Sequence, residues 1–134
     1  MLAENIRVLI VDDEPSIVKL LARFVNELAL EPVEANGPRE ALRLASEAEM
    51  HIAVVDNHMP EMEGIDLVTA LRRVNPDIEV ILITGDFSPQ FLDQAIDHGA
   101  YDCLWKPVDF RQFHQSLRAL RDRVLSRTGS RTGK

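Results

Sequence analysis

Residues 6–15 read Ile6-Arg7-Val8-Leu9-Ile10-Val11-Asp12-Asp13-Glu14-Pro15, an apolar, β-branched run that stops in three acids and a proline. A near-continuous run of this kind predicts a strand covered on both faces rather than a half-exposed one. Acids followed by proline are what the first turn of a helix favours, because proline lacks the N–H that would go unpaired there and acids complement the helix dipole. Ile52 to Val55 and Glu79 to Ile83 repeat the strand half of the pattern and read as further interior strands. Pro32 to Ala35 and Tyr101 to Trp105 are weaker and more polar, as suits the two edges of the same sheet.

Helical periodicities fill the gaps. After Pro15 the apolar face carries Ile17, Leu21, Phe24, Val25 and Leu28, and after Asn36-Gly37-Pro38 it carries Ala41, Leu44, Ala45 and Ala48. From Gly64 a third face holds Ile65, Val68, Leu71 and Val74 before Asn75-Pro76 stops it. A fourth, shorter helix runs from Ser88-Pro89 through Phe91, Leu92, Ala95 and Ile96 to Gly99, a left-handed C-terminal cap. The last follows Asp109 as N-cap and repeats Phe110, Phe113, Leu117, Leu120 and Val124. Strand and helix thus alternate five times, and right-handed crossovers make this an α/β fold: a five-stranded parallel sheet, doubly wound, between five helices. Periodicity leaves the strand order open. Residues 1–125 form the folded unit, and the polar, glycine-containing stretch 126–134 is expected to be a flexible basic tail or the start of a linker.

The chain has 134 residues, 46% hydrophobic and 28% charged, an ordinary globular balance for one domain. Its apolar runs are far shorter than the roughly 20 residues that span a bilayer. The opening residues have no signal-peptide pattern, and Cys103 is the one cysteine, so a reducing cytoplasm is expected. The net charge of −7 divides into +5 from Arg118 onward and −12 before it, so the body repels nucleic acid. No direct nucleic-acid or membrane binding is expected of this domain.

Ligands of open α/β sheets collect at the carboxyl ends of the strands. The first strand ends in Asp12-Asp13, the third in Asp56, the fourth in Thr84-Gly85-Asp86 and the fifth in Lys106-Pro107. Two carboxylates about 4 Å apart at an effective dielectric near 20 repel by about 4 kcal/mol, so Asp12, Asp13 and Asp56 on neighbouring strand ends call for a cation. Oxygen donors with room for water match Mg²⁺, a hard ion commonly held by one or two carboxylates plus a phosphate oxygen. Lys106 supplies a compact positive charge for an anionic oxygen, and Thr84 a hydroxyl donor. A carboxylate nucleophile at Asp56 beside a dication, a lysine and a hydroxyl is a set of parts for accepting a phosphoryl group, a reaction that depends chiefly on alignment and charge neutralisation.

Val11-Asp12-Asp13-Glu14-Pro15, Asp56-Asn57-His58-Met59-Pro60 with Gly64, Ile83-Thr84-Gly85, Gly99-Ala100 and Lys106-Pro107 together give the chain a resemblance to the receiver domains of two-component response regulators, over about residues 5 to 125. The resemblance implies a flavodoxin-like strand order of 2-1-3-4-5 and Mg²⁺-dependent phosphorylation of Asp56 by a histidine kinase or phosphotransfer protein. It implies Mg²⁺ on Asp13, Asp56 and the backbone carbonyl of His58, with Asp12 acting mainly through water, and the phosphoryl group on Lys106 and Thr84. It also implies a partner-binding surface switched by phosphorylation, an output domain or partner, and a homodimer through the fourth-helix, fifth-strand, fifth-helix face. His58 and Asp86, each two residues beyond a key position, stand where the family tunes phosphate lifetime. The family usually carries Tyr or Phe three residues before the lysine; here that residue is Cys103. Alternation sets Tyr101, Cys103 and Trp105 on one sheet face.

Two rival readings use the same parts. A small aspartate-nucleophile phosphatase shares them, but usually has its first two acids separated by one residue and a cap insertion, whereas Asp12 and Asp13 are adjacent. A degenerate receiver that only binds partners is opposed by the intact acceptor, acid pair, threonine and lysine. Cys103 reads as a small buried hydrophobe, and Phe87, Phe91, Phe110, Phe113 and Trp105 as packing residues. His51, His58, His98 and His114 are too scattered for a metal cluster, and His98 beside Gly99 fits a helix C-terminal turn.

Overall fold

The structure, a computed structural model, describes residues 5–86 and 88–132, the last five by backbone alone. Its elements are β1 (Arg7–Val11), α1 (Pro15–Glu27), β2 (Glu31–Ala35), α2 (Pro38–Glu47), β3 (Ile52–Asp56), α3 (Gly64–Val74), β4 (Glu79–Thr84), α4 (Pro89–Asp97), β5 (Asp102–Trp105) and α5 (Phe110–Thr132). The strands form one parallel sheet in the order β2-β1-β3-β4-β5. The two polar runs are therefore the edges, and the three apolar runs the interior.

Alternation along each interior strand feeds two cores. Leu9, Val11, Ala53, Val55, Val80 and Leu82 face the α2, α3 and α4 side with Leu67, Leu71 and Phe91. Val8, Ile10, Ile52, Val54, Ile81 and Ile83 face the α1 and α5 side with Leu21, Val25, Phe113 and Leu117. Burying side chains of this size contributes about 1.5 to 3 kcal/mol each, so the sheet is held from both faces. Phe24 stacks on Phe110 at 4.5 Å and meets Phe113 edge-on at 6.4 Å, tying α1 to α5.

The helix boundaries follow their caps. Asp109 Oδ1 accepts the N–H groups of Arg111 and Gln112, and Ser88 Oγ accepts that of Phe91. Gly99 has φ of 109°, the left-handed conformation that ends α4, and His98 Nδ1 lies 2.7 Å from Gln94 O in that turn. Val74 and Ile96, expected on buried faces, are instead 41% and 47% exposed, each at the last turn of its helix where the sheet no longer covers it.

The residues from Ser126 do not break from α5, which continues helical to Thr132. The physical reason lies in Arg127: its guanidinium bonds Glu79 Oε2 and the Asp77 carbonyl, pinning the helix to the sheet beyond Val124. Residues 133 and 134 of the expected tail, and Phe87 among the expected packing residues, lie outside the described residues.

Candidate functional site

The rim acids converge. Asp12, Asp13 and Asp56 each present a carboxylate oxygen, and these atoms lie within 4.8 Å of one another. Asp12 and Asp56 are buried, at 3% exposure each, while Asp13 is exposed. This follows from register: β1 and β3 are neighbours with Val11 opposite Val55, so Asp12, just beyond β1, meets Asp56, the last residue of β3.

Asp56 is set by packing around the start of α3. A Cβ on Gly64 would lie 2.6 Å from the Asp56 carbonyl oxygen and 2.7 Å from Asn57 Cα, so only glycine lets α3 approach this closely. Asn57, 2% exposed, braces the junction: its N–H donates to Ile83 O, its Oδ1 accepts Ile65 N–H at 3.1 Å and its carbonyl accepts Gly64 N–H. Reading by residue chemistry assigns Asn57 no task; its signal was its place in a run between a strand and a glycine. His58 is exposed, two residues beyond Asp56, and its backbone N–H donates to Asp56 Oδ1 at 3.4 Å.

Lys106 reaches across from beyond β5. Its Nζ lies 2.9 Å from Asp56 Oδ1, a pair with one buried and one partly exposed partner. Burial works against the Lys106 ammonium, yet the hydrogen bond and charge of Asp56, helped by Asp12 and Glu14, hold its pKa above the ordinary value. One ammonium does not balance three carboxylates. Burial, together with the charges of Asp56 and Asp13, pushes Asp12 up to about 6, against a hydrogen bond from Glu14 N–H and the pull of Lys106. A carboxylate so disfavoured, in an all-oxygen donor set, fits a hard dication, and the residues present suit Mg²⁺.

Thr84 is fully buried at the end of β4. Its Oγ1 accepts the Asp86 N–H at 3.0 Å, so in this state the hydroxyl is engaged with its own turn. Asp86 Oδ1 accepts Ser88 N–H at 2.9 Å; that bond and the Ser88 hydroxyl, with the nearby charge of His58, hold the Asp86 carboxyl below its usual range. Beside the acids a cavity of about 300 Å³ is lined mainly by Ile17, Leu20, Leu21, Pro107, Val108 and Phe110.

The aromatic expectations change. Cys103 is buried on the α4 side, with its thiol pushed up to about 11 by burial and by Asp102 and Asp86, as a packing residue should be. Tyr101 precedes β5 and packs on the opposite core, under the Arg123 guanidinium at 5.0 Å, so it shares no face with Cys103. Trp105 is 39% exposed rather than packed away, because β5 is an edge strand that ends there; its indole N–H donates to the Asp86 carbonyl at 3.1 Å.

The model of the response regulator receiver domain matches residues 8–118. The chain belongs to the response regulator receiver family. The Escherichia coli transcriptional regulatory protein ZraR is 32% identical over 130 residues, 97% of this chain and 29% of that protein. The Pseudomonas aeruginosa response regulator protein PilR is 33% identical over 81% of this chain and 24% of its own length. The receiver domain thus spans less than a third of either relative. Among solved structures, the beryllofluoride-activated NtrC4 receiver domain dimer is 34% identical, with a TM-score of 0.80 over 85% of this chain and 94% of that one. The signal receiver domain of a Pseudomonas fluorescens HD domain-containing protein gives a TM-score of 0.85 at 26% identity, over 96% of this chain and 95% of that one. The flavodoxin-like order 2-1-3-4-5 is shared with such receivers.

Proposed function

We propose that Asp56 accepts a phosphoryl group from a histidine kinase or phosphotransfer protein in a Mg²⁺-dependent reaction, and that the modified domain switches a partner-binding surface. The observation that carries this is Lys106 Nζ at 2.9 Å from Asp56 Oδ1 beside three carboxylates whose ligand atoms lie within 4.8 Å. Asp13, Asp56 and the His58 carbonyl would hold Mg²⁺, with Asp12 acting through water, and the ion would neutralise charge on the transferring oxygens.

An Asp56 carboxylate oxygen attacks phosphorus in line; the P–N bond of the phosphohistidine breaks as the P–O bond forms, and the imidazole leaves with the electron pair. Lys106 draws a phosphoryl oxygen as a point charge and keeps the Asp56 carboxylate oriented. The Thr84 hydroxyl, released from Asp86 N–H, donates to a second phosphoryl oxygen, and that movement repacks the turn between β4 and α4. His58 and Asp86, close enough to interact electrostatically, flank the approach of hydrolytic water and set the lifetime of the acyl phosphate. The domain acts as a switch and turns over no metabolite.

The solved NtrC4 neighbour is a dimer; a homodimer through α4, β5 and α5 and an output partner reached from the basic stretch 126–134 complete the reading. No helix among the described residues is long and apolar enough to cross a membrane, which supports a cytoplasmic setting. Replacing Asp56 with Asn should leave the fold intact and abolish Mg²⁺-dependent labelling by acetyl phosphate, followed by intact-protein mass spectrometry. Undiminished labelling of the variant would move the acceptor elsewhere.

A further inference from the structure

At the end of the sheet away from the acids, the pairing of β1 with β3 begins at Val8 opposite Ile52, so Arg7 and His51 stand just before that ladder. His51 closes it twice. Its backbone N–H donates to Arg7 O at 3.1 Å, and its ring Nδ1 accepts the Arg7 N–H at 3.0 Å. An imidazole thus stands where a strand carbonyl would ordinarily take that amide. The His51 side chain is 17% exposed and the contact is part-buried, so water is a poor substitute for either partner. A nitrogen that accepts carries no proton, and the contact therefore fixes the neutral ring with its hydrogen on Nε2.

We propose that His51 is a proton-sensitive clasp at the base of the sheet: the neutral ring holds the first residue of β1 to the start of β3, and protonation of the ring releases it. Imidazole is the side chain whose ordinary titration falls between about pH 5 and 8. A proton on Nδ1 sets two donors face to face and takes the acceptor from the Arg7 N–H. The charged groups around the ring divide. Glu49 Oε1, 3.7 Å from Nε2, draws a proton to the ring, while the Arg7 guanidinium, which donates to Glu49 O at 3.2 Å, opposes it. On the β4 side the Glu79 N–H donates to His51 O at 3.1 Å, and the Glu79 carboxylate is taken up by Arg123 and Arg127 of α5. Glu49 remains a partner for Nε2–H whether or not the ring is charged, so the contact that changes is the one at Nδ1. Stability from the clasp is present while the ring is neutral and is lost as pH falls, opposite in sense to the contribution of Asp12.

The Arg7 amide is the readout, because Asp12, beyond the far end of β1, also titrates at about 6. Two-bond ¹H–¹⁵N NMR of the ring is expected to show the Nε2–H tautomer at about pH 8 and the doubly protonated ring by about pH 5. Over the same range the hydrogen-exchange protection factor of the Arg7 amide should fall about tenfold, in step with the ring. H51N puts an amide oxygen in place of Nδ1 and cannot titrate, so its Arg7 protection should stay constant. H51F keeps a ring without an acceptor and should show the reduced protection throughout. The Nδ1–H tautomer at neutral pH, a ring that stays neutral across the range, or Arg7 protection that holds while the ring takes its proton overturns the clasp. So does a fall in H51N equal to that of wild type, which would assign the loss to another group.

Discussion

At the base of the sheet the buried carboxylate of Glu79 faces two guanidiniums, Arg123 at 3.1 Å and Arg127, whereas at the rim three carboxylates converge and the ammonium of Lys106 pairs with one of them, Asp56. Both ends bury acids, Glu79 at one and Asp12 with Asp56 at the other. At the base the charge is more than balanced, Arg127 also bonds the Asp77 carbonyl and Arg123 lies over Tyr101, so the cluster fastens α5 to β4. At the rim the imbalance is left standing, and Asp12 is pushed up to about 6. Burial of a carboxylate therefore has no fixed meaning: supplied with partners it is structural, and left short of them it marks a candidate cation site.

The hardest blow to this contrast is to strip the base. R123A/R127A leaves Glu79 buried and unpaired and should cost about 3 kcal/mol or more in urea unfolding, while Mg²⁺ affinity measured by calorimetry stays within error of wild type. A matching loss of Mg²⁺ affinity would show that the two ends are not independent.

The rim should respond in the opposite sense. D12N removes a charge that burial and its neighbours oppose, so the Mg²⁺-free domain should gain on the order of 2 kcal/mol at pH 7. Its Mg²⁺ affinity should fall about tenfold to a hundredfold. A D12N variant less stable than wild type would mean that the rim carboxylates are already compensated.

The pH dependence sharpens the same point. The folded-state pKa of Asp12 lies above its unfolded value of 3.8, so the folded state binds the extra proton. Stability from this group is fully present below the unfolded value and is lost as pH rises through about 6. Urea midpoints without Mg²⁺ should therefore show an Asp12-dependent decline over that window, flattened in D12N. Mg²⁺ affinity should run the other way, rising with pH by up to about tenfold per unit below the Asp12 midpoint, because the ion competes with the proton.

The smallest effect compares the two fastenings of α5. D109A removes an exposed N-cap and should cost about 1 kcal/mol, visible as a modest shift in urea midpoint and well below the loss from the Arg123 and Arg127 pair. A larger loss would make the cap, rather than the Glu79 cluster, the main anchor of α5.

Most of the fold was legible because its signals are local. The β-branched runs ending in acids, Pro15, Pro38 and Pro89 at helix starts, and Gly99 at a helix end each act within a few residues of themselves. The acids at positions 12, 13 and 56 were legible as candidates for the same reason, since each directly follows or ends an apolar run. Trp105 and Tyr101 were misread because alternation assigns a face only inside a strand, and β5 spans Asp102–Trp105 alone, with one residue outside it and the other at its end. The reach of α5 past Ser126 was hidden because its cause, Arg127 on Glu79, joins residues 48 apart.

Five alternating strands and helices, the strand ends that carry carboxylates and a resemblance to receiver domains over about residues 5 to 125 could all be read from the residues alone. It took the assembled sheet to show that Lys106, beyond β5, reaches Asp56 at the end of β3 across the intervening β4, that Glu79 takes its arginines from α5, and that the Trp105 indole donates to the Asp86 carbonyl. Local sequence sets backbone propensity and periodicity over a few residues. Which distant charges become neighbours depends on strand order, and that is settled by the packing energy of the assembled sheet between its two helical layers.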